Sequence, residues 1–179
     1  MQSFAKGGSR VPYAAHTFSY ALSMTTTIRS RPRLGDIIEI STPQGLAFAQ
    51  FTHEHVQYGA LLNVLSGTFA ARPDAFEALL DGEPQFSTFF PLNAACARGI
   101  VRIVASERIP ASAAAFPTFR TAIKGKDGAW GPWWLWDGER EWQVGTLKSG
   151  MESLPPRGVV NDTLLVERII AGWRHEHWL

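Results

Sequence analysis

Short apolar runs, punctuated by Gly, Pro and Asp, set the pattern of this chain. Residues 35–40 combine β-branched content with alternation and predict a strand. Thr42-Pro43-Gln44-Gly45 predicts a turn. Longer runs over 46–55 and 58–65 complete an antiparallel meander. Further strands are expected at 87–92, 100–105 and 119–123. Two segments repeat apolar residues at helical spacing instead. Residues 74–80 place Phe76, Leu79 and Leu80 on one side, with Pro73 at the start and Gly82 at the end. Residues 162–173 repeat Leu165, Val166, Ile169, Ile170 and Trp173, with Asn161 or Asp162 as cap. The segment 110–119 reads as a loop with one helical turn, and 154–158 as a proline-stiffened connector. The sum is α+β: a bent antiparallel sheet or partial barrel with one or two packed helices.

One stretch departs from this plain pattern. Residues 130–145 read WGPWWLWDGEREWQVG and hold five of the seven tryptophans. Asp137-Gly138 between strand-like runs is a hairpin signal for a two-residue type I′ turn. That register sets Trp136 against Glu139, Leu135 against Arg140, Trp134 against Glu141 and Trp133 against Trp142. One face then carries Trp133, Leu135, Trp142 and Val144 as core. The other carries Trp134, Trp136, Glu139 and Glu141, which form an aromatic binding surface rimmed by acids if solvent reaches them. Cover by the C-terminal helix is the competing expectation.

Length and charge narrow the classes. The 179 residues suit one domain, 31–179, preceded by a segment, 1–30, with Lys6, Arg10 and Gly7-Gly8-Ser9. That segment is expected to be a disordered leader, with Met24 as an alternative start, and its apolar part is too interrupted for a signal peptide. A net charge of +1 gives no electrostatic case for nucleic acid. No apolar run approaches a membrane span. The single cysteine, Cys96, excludes an intramolecular disulfide framework and reads as a small core residue.

Candidate chemistry centres on two triplets, His53-Glu54-His55 and His175-Glu176-His177. On a regular strand His53 and His55 share a side with Ala49 and Phe51. The four imidazoles are candidate ligands for a divalent metal that activates water. The plainer reading is a solvated strand end and a frayed terminus, with His175 charged beside a helix C-terminus. There is no Gly-x-Ser-x-Gly elbow, and Gly125-Lys126-Asp127-Gly128 lacks phosphate-loop spacing.

The run Arg33-Leu34-Gly35-Asp36-Ile37-Ile38-Glu39-Ile40, its Gly-containing turn and the aromatic-bearing strand after it resemble the opening of the bacterial immunity 26 family. Leu154-Pro155-Pro156-Arg157-Gly158-Val159-Val160-Asn161-Asp162-Thr163-Leu164-Leu165-Val166-Glu167-Arg168-Ile169, followed by Gly172-Trp173, resembles its closing motif. The likeness covers roughly residues 31–174. It implies a small cytoplasmic protein that binds and neutralises a cognate polymorphic toxin, without a cofactor. The same family also carries the name of the HocA-type phosphotriesterases, which implies an alternative: hydrolysis of a neutral organophosphate triester. Under that alternative His53 and His55 are the candidate bases or metal ligands, with Arg102 or Arg140 stabilising the developing P–O⁻ charge. Neither reading calls for nucleic acid or a membrane.

Overall fold

A computed structural model describes residues 31–178; the leader and Met24 lie outside the described residues. Five strands, β1 (Asp36–Thr42), β2 (Gly45–His55), β3 (Gly59–Val64), β4 (Phe86–Phe90) and β5 (Val101–Ser106), form an antiparallel sheet in the order β4-β3-β2-β1-β5. A second antiparallel sheet holds β6 (Phe119–Thr121), β7 (Trp133–Trp136) and β8 (Glu141–Gly145) in sequence order. Helices α1 (Glu77–Leu80), α2 (Leu92–Ala97) and α3 (Asp162–Ile170) complete an α+β fold. No helix among the described residues is long and apolar enough to cross a membrane.

Alternation along the strands gives the large sheet two apolar faces. On one, Ile38, Ile40, Ala49, Leu62 and Phe90 meet Leu165 and Ile169 of α3 and Leu92 of α2. Asn161 caps α3 by accepting a hydrogen bond from Leu164 N–H at 2.8 Å. The buried Gln85 amide closes the other end, donating to the carbonyls of Arg168, Ile169 and Trp173. Asn161→Ala should lower stability by about 1 kcal/mol, read from the shift in the denaturant midpoint at unchanged slope.

The second face divides. Ile37, Phe48 and Leu65 pack on Phe76 and Leu80 around α1. Leu61 and Phe89 pack on Phe119 and Trp136 from the small sheet. The segment 155–160 joins the two sheets. Arg120 N–H donates to the Pro155 carbonyl at 2.9 Å, and Arg157 N–H donates back to the Arg120 carbonyl at 2.8 Å. Val160 N–H then donates to the Phe89 carbonyl at 3.0 Å. The proline-stiffened connector is thus seated between the β6 and β4 edges by parallel bridges, which covers two edges that would otherwise be open to pairing.

Three local expectations change. The hairpin loop has four residues, 137–140, not two, and pairs Trp136 with Glu141, Leu135 with Trp142 and Trp134 with Gln143. A type I′ turn requires φ > 0 at Asp137 as well as Gly138, and only Gly138 has it, at 100°. Asp137 Oδ1 instead accepts from the backbone N–H of Glu139 and Arg140, an Asx-type turn. A side chain at Gly138 would also meet the Phe116 ring at 2.9 Å. The C-terminal helix stops at Ile170 rather than Trp173, where Gly172 turns the chain at φ 61°. Residues 92–97, which carried no clear helical signal, form α2.

Candidate functional site

The register shift by two keeps the alternation, so Trp134 and Trp136 do share a face, but their surroundings differ. Trp136 is 7% exposed and Trp134 37%. Trp136 lies within 6.2 Å, centroid to centroid, of the rings of His55, Tyr58, Phe89, Phe116 and Phe119. As a binding residue it is therefore corrected to core: its indole fills the space between the two sheets. Trp134 sits two pairs further along, opposite Gln143. The α3 helix covers neither, because it packs on the opposite face of the large sheet.

The expected core pair of Trp133 and Trp142 is also corrected. A β-bulge between Trp133 and Trp134 sets Trp133 opposite Gly145. Trp133 is buried against Trp130, Trp178 and Arg120, while Trp142 is 39% exposed.

Around Trp134 is a cleft of about 320 Å³, with Thr121, Ala122, Ile123 and Pro132 on the apolar side. Ile123 is 85% exposed. The polar side is one ion pair, Arg157 to Glu141 at 2.7 Å. The Arg157 guanidinium also lies 5.5 Å from the Trp136 ring centroid, which fixes it over the buried indole. Of the four residues expected to bind, Trp134 and Glu141 line this cleft. Glu139 stands exposed in the turn and does not.

The histidines are not brought together as a metal site. A bulge at Thr52 shifts the pairing, so that Phe51 faces Leu62 while His53 faces Leu61. His53 and His55 therefore leave the Ala49–Phe51 face and turn to the aromatic cluster, where both rings contact Phe116. His53 Nε2 meets the Ala114 carbonyl at 3.1 Å; His55 Nε2 meets the Gly138 carbonyl at 3.2 Å, and its Nδ1 accepts from Gln57 N–H. His175 is held at Ser87 and Ser153, and His177 Nδ1 accepts from Arg174 N–H. Among the described residues no group of three or more His, Cys, Asp or Glu is placed to hold a metal ion. The candidate charge stabilisers are apart too: Arg140 bonds Asp137 within the hairpin turn at 3.3 Å, and Arg102 is exposed on β5 opposite Glu39. Backbone N–H groups of Arg140 and Glu139 hold the Asp137 carboxyl below its usual range. Burial, with Asp36 adding to it, pushes the Cys96 thiol up to about 11, so it stays protonated at neutral pH.

Arg120 was missed by sequence reasoning altogether. It is fully buried, and its guanidinium donates to four carbonyls: Leu154, Glu152, Trp178 and His175. The guanidinium lies beside the edge-to-face pair of Trp133 and Trp178, 5.2 and 5.3 Å from their ring centroids. Burial lowers its pKa from the ordinary value, with Glu176 and Glu152 acting the other way; an arginine keeps its charge regardless. Arg120 thus ties β6 to the chain end, where His175–His177 form a 3-10 turn rather than a frayed tail.

His175 is the second tie. Its Nε2 accepts from Ser87 N–H at 2.8 Å, so the proton sits on Nδ1 and is donated to the Ser153 carbonyl at 2.9 Å. Burial, the main cause, lowers its pKa below the ordinary 6.5, the reverse of the dipole-charged imidazole expected from sequence. The unfolded chain binds this proton more readily, so the stability His175 contributes is complete above about pH 6.5 and is lost as pH falls through the folded value. Hydrogen exchange of residues 174–178, corrected for the intrinsic pH dependence, should speed up below pH 6.5 in the native chain and stay flat in His175→Gln.

Comparison of the chain with family models, with curated proteins and with solved structures finds no match.

Proposed function

We propose that this chain is a recognition protein of the immunity type, which acts in the cytoplasm by binding and neutralising a cognate toxin protein at the Trp134 cleft. The observation that carries the reading is the solvent exposure of Ile123 and Trp134 in one cleft, next to an ion pair, where Trp134 stands on a strand whose Trp133, Leu135 and Trp136 are buried. Rigid indoles beside a polar rim are the usual anchors of protein interfaces, because they bury much area at small entropic cost. The resemblance to immunity 26 proteins at both ends of the domain supports the same reading. Triester hydrolysis has less support. The ionisable groups lining this cleft are Glu141 and Arg157, already paired with each other, and His53 and His55 face backbone carbonyls elsewhere.

The test uses the purified product of the gene adjacent to the one encoding this chain. Titration calorimetry should show a complex, and Ile123→Asp should weaken it by about 2 kcal/mol, roughly 30-fold. Binding unchanged by Ile123→Asp would overturn the assignment of the cleft. Chelator-sensitive turnover of a paraoxon-like triester by pure protein, lost in His53→Ala, would replace the reading with hydrolysis.

A further inference from the structure

The two open sheets end in four edge strands, β4, β5, β6 and β8. The connector 155–160 bridges β4 at Phe89 and β6 at Arg120, which covers those two. β5 carries the exposed Arg102 and a bulge against β1, and both discourage strand addition. β8 is different. Its Glu141, Trp142 and Gln143 are all exposed, and its one neighbour in the sheet is β7.

The phase of the β7–β8 ladder fixes which of its backbone groups are free. Asp137 N–H donates to the Arg140 carbonyl at 3.2 Å, which makes that pair a hydrogen-bonded one. Bonded and non-bonded pairs alternate along an antiparallel ladder. Trp136–Glu141 is then non-bonded, Leu135–Trp142 bonded and Trp134–Gln143 non-bonded. The N–H and C=O groups of Glu141 and Gln143 therefore point away from β7, and among the described residues none of them has a backbone partner. A bulge at Val144 ends the regular edge after Gln143. Edges are usually blunted by a free charge. Here Glu141 is already paired with Arg157 at 2.7 Å, and the centre of the edge is an exposed indole.

We propose that β8 pairs antiparallel with β8 of a second copy of this chain, about a two-fold axis at Trp142. In that register Glu141 exchanges both backbone hydrogen bonds with Gln143 of the second copy, and Gln143 does so with its Glu141. Trp142 meets its own copy in a non-bonded pair, the kind in which side chains lie closest, so each indole covers the other. Charge and shape select this axis. An axis at Glu141 would set two carboxylates face to face. An axis at Gln143 would set Trp142 against the bulged Val144. About Trp142, each acid faces a neutral amide. The pairing is closed by its own symmetry and cannot grow into a fibre. Trp142 and Gln143 do not line the Trp134 cleft, so the dimer stands whether or not that cleft binds a toxin.

The experiment is sedimentation equilibrium of the full chain. The paired stretch is short beside the roughly 20–30 residues a side of a standard interface, so a dissociation constant on the order of 50 µM is expected. Trp142→Lys sets two cations opposite each other and should weaken the dimer at least about tenfold. Gln143→Pro removes one outward N–H, leaves the β7 ladder intact and should do the same. Both should keep a thermal midpoint near that of the native chain, and either one serves if the other fails to fold. Trp142→Cys should form a covalent dimer in a glutathione redox buffer, since a non-bonded pair holds its Cα atoms about 4.5 Å apart. Gln143→Cys, about 7–8 Å from its copy, should not. The native chain, with Cys96 as its one thiol, is the control. A native chain that stays single at about 500 µM, ten times the expected constant, would overturn the proposal. Loss of the adjacent gene's product by Gln143→Pro would in that case assign the edge to a strand of that protein. A dimer that survives in both folded variants, or a covalent dimer formed as readily by Gln143→Cys as by Trp142→Cys, would overturn it too.

Discussion

Arg120→Leu will destabilise the fold by on the order of 4 kcal/mol. The guanidinium is fully buried and is the shared donor to four carbonyls from two separate segments, 152–154 and 175–178. Leucine fills part of the space but leaves those carbonyls unpaired, and each desolvated acceptor keeps its cost. Arg120→Lys should be nearly as damaging. An ammonium has three donors around one nitrogen and cannot reach carbonyls arranged about a planar fork, nor keep the guanidinium's place beside Trp133 and Trp178. Chemical denaturation measures the loss. Hydrogen exchange should place it first at residues 174–178, the part of the chain that Arg120 and His175 hold. A loss below about 1 kcal/mol would mean that the chain end is held by its tryptophan contacts alone.

Trp136→Ala comes next in size, at about 3–5 kcal/mol, the usual cost of removing a large buried aromatic side chain. Five rings surround the indole, and it joins the large sheet to the small one. The Arg157 guanidinium that lies over it also pairs with Glu141, so the damage should spread into the Trp134 cleft. Thermal unfolding would report the cost, and tryptophan fluorescence the loosening of the hairpin. Trp134→Ala, by contrast, removes a side chain already 37% exposed and should leave the midpoint close to that of the unaltered chain.

The sequence carried the meander, the α3 helix and its Asn161 cap, because alternation, period and capping are local signals. It could not carry the bulges at Thr52 and between Trp133 and Trp134. One extra residue at Thr52 moves His53 and His55 to the other face of the sheet, and strict period-two counting places them wrongly. Counting did place Trp134 and Trp136 on one face; what separates them is that Trp136 packs with Phe89 and Phe119, far off in the chain, while Trp134 stays 37% exposed. Arg120 gave no signal because one arginine in a short strand looks like a solvated charge. Its role arises from Leu154, His175 and Trp178, more than thirty residues away. Pairing Arg120 with the aromatics Trp133 and Trp178 on grounds of cation–π attraction was the one clue available.

The most direct test of the account is one paired measurement on the Trp134 cleft: the affinity of Trp134→Ala for the adjacent gene's product, beside its thermal midpoint. The account predicts binding weakened by about 2 kcal/mol or more with the midpoint nearly unchanged. A fully retained affinity, or a fall in affinity that only tracks unfolding, would contradict it.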